Sequence, residues 1–155
     1  MGSSSPCLVD AMVVIDGFRY GFWGSLIGGH TVAVVREVRE EAQHYKGAGG
    51  EKVPIDLQPY LDAGHLRVES ASLHELRAVR QAGGTRGLGQ GESASLALVL
   101  AREFRVCTAD RPAVRAMKDL GILARWVPLE ELLSALDSPL PIPEAKYSRA
   151  EAEPK

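Results

Sequence analysis

The chain has 155 residues, of which 45% are hydrophobic and 25% charged, and its formal net charge is -2. This length suits one domain with a hydrophobic core. The slight negative charge argues against broad, sequence-independent clamping of nucleic acid, which needs a basic surface, but it does not exclude a nuclease. No apolar run approaches the roughly 20 residues of a membrane span. Because Asp10 and Asp16 interrupt the apolar start, we expect no signal peptide and a cytoplasmic protein.

The first half of the chain alternates apolar runs with helical periodicity, which predicts a parallel sheet covered by helices. Strands are predicted at about Cys7–Asp10, Thr31–Val34 and residues 65–70. Helices are predicted through Phe18, Trp23 and Ile27, over the charged segment REVREEAQHY, and around Leu57–Leu61. The segment KGAGGEKVP between the last two helices is interpreted as a loop, because glycine and proline punctuate it.

The second half continues the alternation. Ser72 and Glu75 form a capping-box pattern that begins a helix reaching about Gln81. Further helices are predicted over residues 91–104, 111–120 and 129–136, and strands over Arg105–Thr108 and Ile122–Val127. We predict one domain over residues 6–137. Residues 138–155 are rich in proline and charge, which indicates a mobile C-terminal tail.

Four acidic residues stand where a parallel sheet would bring them together. Ligands of open α/β sheets bind at the carboxyl ends of the strands, and Asp10 and Asp110 each follow a predicted strand. Either aspartate alone is equally well explained as a helix N-cap. Glu92 begins a helix, and Glu41 lies on the helix after the second strand. Four clustered carboxylates repel one another unless cations are present, and oxygen ligands suit Mg²⁺ or Mn²⁺.

Three motifs in the chain resemble those of the PIN-domain family: LVDAMVVI, GLGQGESASLALVLA and VCTADRPAVRAMKDLGI. Their order and spacing match the family over residues 7–136. The resemblance implies a three-layer α/β/α fold with a central parallel sheet of about five strands. It also implies an Mg²⁺- or Mn²⁺-dependent ribonuclease that leaves 5′-phosphate and 3′-hydroxyl ends on RNA. In the VapC-like branch of the family, the protein is a toxin neutralised by a small antitoxin.

The resemblance assigns the four acids as metal ligands and catalytic residues. Asp10, Glu92 and Asp110 match the family pattern directly. The second acid of the family lies on the helix after the second strand, just before an apolar residue. Glu41, followed by an alanine, fits best, while Glu37 and Glu40 remain alternatives.

One position departs from the family pattern. Two residues after the first aspartate the family has Ser, Thr or Asn supporting the metal site, but this chain has Met12, which offers no useful hydrogen bond. Thr108, near the fourth acid, is a candidate replacement, and Asp16 is a spare carboxylate on the first helix. Met12 leaves a second function open, a catalytically weakened PIN-like module that binds RNA or a protein partner.

The glycine-rich segment over residues 83–89 needs its own interpretation. It resembles the dinucleotide-binding turn of short-chain dehydrogenases, but it follows a charged helix, and the chain has no Tyr-x-x-x-Lys pair. It is a connector, or it lets Arg86 reach a phosphate of the substrate. Arg111, next to Asp110, is a second candidate for phosphate binding, or an ordinary surface arginine.

Two further expectations concern apolar residues. The early helix carries more apolar surface than one sheet face needs, in Phe18, Trp23, Leu26 and Ile27, which predicts a homodimer interface. Cys7 and Cys107 lie in strands that are neighbours in the family's sheet. We expect two reduced, buried thiols on the same face, close together but unbonded.

Overall fold

The computed structural model describes residues 6–83 and 85–154. Residues 1–5, Gly84 of the glycine-rich segment and Lys155 of the predicted tail lie outside the described residues. The strands are β1 (Cys7–Val9), β2 (Val32–Val35), β3 (His44–Lys46), β4 (Lys52–Pro54), β5 (Leu66–Glu69) and β6 (Arg105–Cys107). The helices are α1 (Ala11–Tyr20), α2 (Trp23–Gly29), α3 (Arg36–Glu41), α4 (Gln58–Asp62), α5 (Leu73–Gln81), α6 (Gln90–Arg102), α7 (Arg111–Asp119), α8 (Leu129–Ser134) and α9 (Arg149–Ala152).

The central sheet has four parallel strands in the order β5-β2-β1-β6. Every residue of β1 and β2 is buried. This is the pattern of inner strands covered on both faces, and it explains their uninterrupted apolar sequences. Helix α6 packs on α3 and on α5, and it also contacts β2 and β6. The arrangement is compatible with the expected three-layer α/β/α fold. None of the described helices is long and apolar enough to cross a membrane.

The predicted fifth strand is reduced to a single bridge. Val106 and Trp126 form a parallel bridge at the β6 edge, but a 3-10 turn occupies Leu123–Arg125. In that turn the amides of Arg125 and Trp126 donate to the carbonyls of Ile122 and Leu123. Those local hydrogen bonds use donors that a strand would need for its ladder.

Two glycine-containing segments also differ from the prediction. The first helix is split, because Gly21 adopts a left-handed conformation (φ 80°) that ends α1 before α2 begins at Trp23. The predicted loop KGAGGEKVP contributes to an antiparallel hairpin, in which β3 pairs with β4. The sequence of β3 comes from the end of the predicted charged helix, so α3 is shorter than expected.

The apolar side chains of the early helices pack against other parts of the same chain. Trp23 is 2% exposed and Leu26 is fully buried. The Phe18 ring stacks on Trp23 with 5.6 Å between centroids, and Tyr60 lies edge-on to both rings. The reason for expecting a homodimer was therefore wrong, because the chain's own core covers these side chains. The homodimer itself stays a prediction.

The C-terminal segment differs from the expected mobile tail. A 3-10 turn at Ala145–Tyr147 and helix α9 pack on the domain, and Tyr147 is only 1% exposed. The Arg149 guanidinium lies 4.9 Å from the centre of the Trp126 ring, and its Nε is 2.7 Å from Glu131 Oε1. The prediction of a mobile tail was based on proline and charge content. Composition does not reveal contacts between residues that are distant in sequence, such as these.

The two cysteines behave as expected. β1 and β6 are neighbours, and Val9, two residues from Cys7, lies opposite Cys107. The thiols therefore point to the same face of the sheet. Both are free and fully buried. Burial raises the pKa of Cys7 to about 12 and that of Cys107 well above its usual value.

Candidate functional site

The candidate site lies where the strand order reverses. From β1 the chain proceeds to β2 and β5 on one side, and only later adds β6 on the other side. The crevice between β1 and β6 at their carboxyl ends is thus the topological switch point, the usual ligand position in such sheets. Asp10 directly follows β1, and its amide donates to the Cys107 carbonyl at 3.3 Å. Asp110 follows β6 by three residues.

All four predicted acids line one cavity of about 240 Å³ at this crevice, which we call the acidic cavity. Its lining consists of Asp10, Ala11, Met12, Val38, Glu41, Gly89, Gly91, Glu92, Ala109, Asp110 and Lys146. Glu41 is the last residue of α3 and belongs to this lining, whereas the alternatives Glu37 and Glu40 do not.

Asp10 is the most firmly held of the four acids. It is 8% exposed and caps α1, with Oδ1 accepting from the Val13 amide at 2.9 Å. The Thr108 hydroxyl donates to Oδ2 at 2.5 Å and accepts from the Asp110 amide at 3.1 Å. Thr108 therefore links the first and fourth acids. Burial raises the pKa of Asp10 to about 6. The hydrogen bonds from Thr108 and Val13 oppose this rise, and the charges of Glu92 and Asp110 add to it.

The other two well-anchored acids are also fixed by backbone amides. Asp110 caps α7, with Oδ2 accepting from the Ala113 amide at 3.2 Å. Glu92 Oε2 accepts from the Gly89 amide at 2.9 Å, so it closes the first turn of α6. Burial raises the pKa of Glu92. The hydrogen bond from Gly89 opposes this, and the negative charges of Asp110 and Glu41 contribute further.

The Gly89-Gln90-Gly91-Glu92 motif has a packing reason. A Cβ on Gly91 would lie 3.0 Å from Val38 Cγ2, closer than side chains normally approach. The glycine therefore lets α6 pack tightly on α3 at the point where Glu92 and Glu41 face the same cavity. The motif thus supplies Glu92, and its glycine also allows α6 to bring Glu92 close to Glu41.

The donor chemistry of the acidic cavity suits a hard divalent cation, since all four acids offer oxygen. A small cavity of about 10 Å³ shares Asp10 and Glu92 with it and is also lined by Ser95 and Thr108. Ser95 is 2% exposed, and its hydroxyl has no hydrogen-bond partner within the described residues. Such an orphaned group fits a site that also receives a water molecule or an ion.

The carboxylates are not already arranged as a ligand shell. Within residues 6–83 and 85–154, no three His, Cys, Asp or Glu side chains stand in an arrangement that could hold a metal ion. The reason is local: Asp10, Glu92 and Asp110 each direct an oxygen to an amide of their own helix. A carboxylate has further lone pairs beyond the one used in capping. Metal binding would thus require these side chains to rotate from their capping positions.

The remaining residues singled out near the first helix lie in different places. Met12 is 46% exposed and lines the acidic cavity. Asp16 is 1% exposed and does not line the cavity. Its carboxylate instead accepts a short hydrogen bond from the Tyr147 hydroxyl and lies 3.5 Å from Lys146 Nζ.

Arg86 and Arg111 line a separate, shallow cavity of about 410 Å³, which we call the basic groove. Its described lining is Gly83, Arg86, Arg111, Pro112, Arg115, Ala116 and Asp119. The groove carries three arginines against one aspartate, so its charge is positive. Arg111 directly follows Asp110, which places one arginine of the groove next to the acidic cavity.

Sequence reasoning missed Lys146, Ser95 and Arg115. Arg115 lies one helical turn after Arg111, so helical spacing on α7 could have found it. Ser95 follows Glu92 by three residues on α6, which places both on one helix face. Lys146 lies in the predicted tail, and no local pattern connects it to the acids.

Comparison of the chain with models of known protein families finds no matching family. Comparison with curated proteins finds no significantly similar sequence.

Proposed function

We propose that the chain is a divalent-metal-dependent endoribonuclease of the PIN type, in which Asp10, Glu41, Glu92 and Asp110 hold Mg²⁺ or Mn²⁺. The observation that carries this proposal is the convergence of all four acids on one cavity at the switch point of the sheet. They come from four separate segments of the chain. A role as helix caps explains three of the carboxylates singly but gives no reason for their clustering.

When bound, a divalent cation supplies a Lewis acid that activates water for attack on phosphorus and neutralises the charge that develops on the phosphate. The chain's residues contribute binding and orientation. Thr108 holds the Asp10 carboxylate and the Asp110 amide in fixed positions. Such outer hydrogen bonds orient metal ligands. Thr108 can therefore supply the support that Met12 does not.

The basic groove supports RNA as the substrate. Arg111 lines the groove and directly follows Asp110 of the acidic cavity, so a single strand with its reacting phosphate at the acids can place a neighbouring phosphate at Arg86 or Arg111. Arginine suits phosphate because its planar fork of donors matches phosphate oxygens. A single strand fits better than a duplex, because its phosphates can be turned toward the cavity.

The proposal is tested by incubating purified protein with a labelled single-stranded RNA pool in the presence of Mn²⁺, Mg²⁺ or EDTA. We expect cleavage with either cation and none with EDTA. The products should carry 5′-phosphate and 3′-hydroxyl ends, which enzymatic end-labelling distinguishes. Absence of cleavage across diverse RNA sequences at saturating Mn²⁺ would contradict the enzymatic function.

A second candidate function is a PIN-like module that binds RNA or a protein partner without cutting. Two observations favour it: Met12 at the cavity, and acids that are already engaged as helix caps. The two functions separate in a calorimetric titration with Mn²⁺. The ribonuclease requires saturable binding, whereas the module binds RNA with equal affinity in Mn²⁺ and in EDTA.

The biological setting we propose is a cytoplasmic toxin paired with a small antitoxin. This part of the proposal rests on the motif resemblance alone. Its test is genetic: expression of the chain in a bacterial host should arrest growth, and the Asp110→Asn variant should not. Growth at the normal rate while active nuclease accumulates would rule out the toxin.

A further inference from the structure

The C-terminal segment supplies a side chain to the acidic cavity. Of the described residues that line this cavity, Lys146 alone carries a positive charge. It is 41% exposed and belongs to the 3-10 turn at Ala145–Tyr147. A lysine facing four carboxylates could be a simple counter-ion, but its Nζ lies within 4 Å of none of the four acids.

The actual partners of Lys146 lie beside the cavity. Its Nζ is 3.5 Å from Asp16 Oδ2 and 3.6 Å from Glu144 Oε2. Both distances exceed those of a good charge-assisted hydrogen bond. The ammonium group has three donors, so these contacts orient Lys146 without saturating it. Donor capacity therefore remains for an anion that enters the cavity.

The turn that carries Lys146 is firmly fixed. Tyr147 is 1% exposed, and its hydroxyl donates to Asp16 and lies 3.4 Å from the Met12 carbonyl. The Lys146 ammonium also lies 5.1 Å from the centre of the Tyr147 ring. Asp16, which is buried on α1, thus anchors both Lys146 and Tyr147. Without Lys146 and Tyr147, it would be a buried carboxylate lacking compensation.

We propose that Lys146 is a substrate-binding residue whose ammonium group contacts a non-bridging oxygen of the RNA phosphate in the acidic cavity, and that Asp16 and Tyr147 position it. This inference rests on the proposed ribonuclease function. Electrostatics supplies the reason: four carboxylates repel a phosphodiester, and an ammonium group that lines the same cavity offsets that repulsion. The role is in binding the substrate, not in holding the metal.

The test compares Lys146→Gln and Lys146→Arg with the wild type. Lys118→Gln is the control, since it makes the same charge change on an exposed position of α7 outside both cavities. Three quantities are measured: kcat and KM for a single-stranded RNA, the Kd of that RNA in Ca²⁺ by anisotropy, and Mn²⁺ affinity by calorimetry. We expect Lys146→Gln to raise KM and Kd about tenfold, the effect of losing a charged hydrogen bond. It should leave kcat within about threefold, and Mn²⁺ affinity should be unchanged or higher.

Lys146→Arg should keep KM and Kd close to wild type, because it retains the charge. Tyr147→Phe should raise KM less than Lys146→Gln does. It removes the hydrogen bond to Asp16 that helps to position Lys146, but it keeps the Lys146 ammonium group. Wild-type KM and Kd in Lys146→Gln, or weakened Mn²⁺ binding, would overturn the inference while leaving the ribonuclease intact. If the wild type binds RNA without cutting it, the ribonuclease fails, but a higher Kd in Lys146→Gln still supports the inference. If the wild type does not bind RNA at all, both proposals are overturned.

Discussion

The acidic cavity and the basic groove lie side by side but are built differently. In the acidic cavity, backbone amides and Thr108 fix three of the carboxylates, and Asp10 is almost fully buried. In the basic groove the arginines are exposed. Within the described part of the chain, Arg111 forms one long ion pair, with Glu151 at 3.5 Å, in which both side chains are solvated. In the acidic cavity the helix caps therefore fix where three of the carboxylates lie, although the carboxylates are not yet arranged as a ligand shell. The arginines form a solvated electrostatic surface whose contribution depends on salt.

The largest effects should come from the fixed acids. We expect Asp10→Asn and Asp110→Asn each to lower kcat for Mn²⁺-dependent RNA cleavage by about a hundredfold or more, because each removes a negatively charged ligand of the proposed metal ion. Single-turnover cleavage assays measure this. Asp137→Asn, on an exposed C-terminal position, is the matched control and should cleave like the wild type. Activity in both site variants at the wild-type rate would remove the acids from the mechanism.

The next effect distinguishes the second acid from its neighbours. Glu41→Gln should reduce kcat by about tenfold or more, the size expected for an altered metal ligand environment. Glu37→Gln and Glu40→Gln should change it by less than about twofold, because neither side chain lines the acidic cavity. The three variants are compared under identical Mn²⁺ concentrations. A larger loss in Glu37→Gln or Glu40→Gln would show that the register of α3 was misassigned.

Variants of the basic groove should be milder and of a different kind. Arg86→Gln and Arg111→Gln should raise KM about three- to tenfold with little change in kcat, since each removes one phosphate contact. Each should also lower the slope of log Kd against log salt by about 0.7, the value for one phosphate on a single strand. Anisotropy titrations at several salt concentrations provide this slope. An unchanged slope in both variants would exclude the groove from the RNA path.

The last prediction concerns the stability of the metal-free protein, and its sign is opposite to that of the effects on activity. The folded pKa of Asp10 is raised from 3.8 to about 6, so the folded state binds this proton more tightly than the unfolded state does. Ionised Asp10 therefore destabilises the metal-free protein, increasingly as the pH rises from about 4 through 6. Asp10→Asn removes this penalty.

We expect the variant to increase the free energy of unfolding at pH 7 without metal by on the order of 1–3 kcal/mol. The gain should disappear below about pH 4. Urea unfolding at both pH values, with EDTA present, measures it. A loss of stability at pH 7 would mean that the cap and Thr108 hydrogen bonds outweigh the burial of charge.

Much of the site could be predicted because its signals are local. Asp10 and Asp110 each follow an apolar strand, and Glu92 follows Gly91, the glycine that lets α6 approach Val38. Glu41 was harder, since three glutamates share one short helix and only packing decides which of them faces the cavity.

The remainder depended on contacts distant in sequence. Lys146 reaches the cavity because Tyr147 meets Asp16, 131 residues earlier in the chain. The β3–β4 hairpin forms from two three-residue strands that are too short to show a periodicity. The expected fifth strand is replaced by local hydrogen bonds of a 3-10 turn at Leu123–Arg125, and the apolar pattern of residues 122–127 does not distinguish the two structures. In each case the competing structures differ by contacts that a single segment does not reveal.

The most direct test of the central claim is the position of Mn²⁺ in a crystal of the wild-type protein soaked with that ion and measured near its absorption edge. We predict an anomalous peak in the acidic cavity, with oxygens of Asp10 and Asp110 among its ligands and with these side chains rotated from their capping positions. The Asp110→Asn crystal should lose the peak under the same soak. A wild-type crystal without a peak in this cavity at saturating Mn²⁺ would contradict the account.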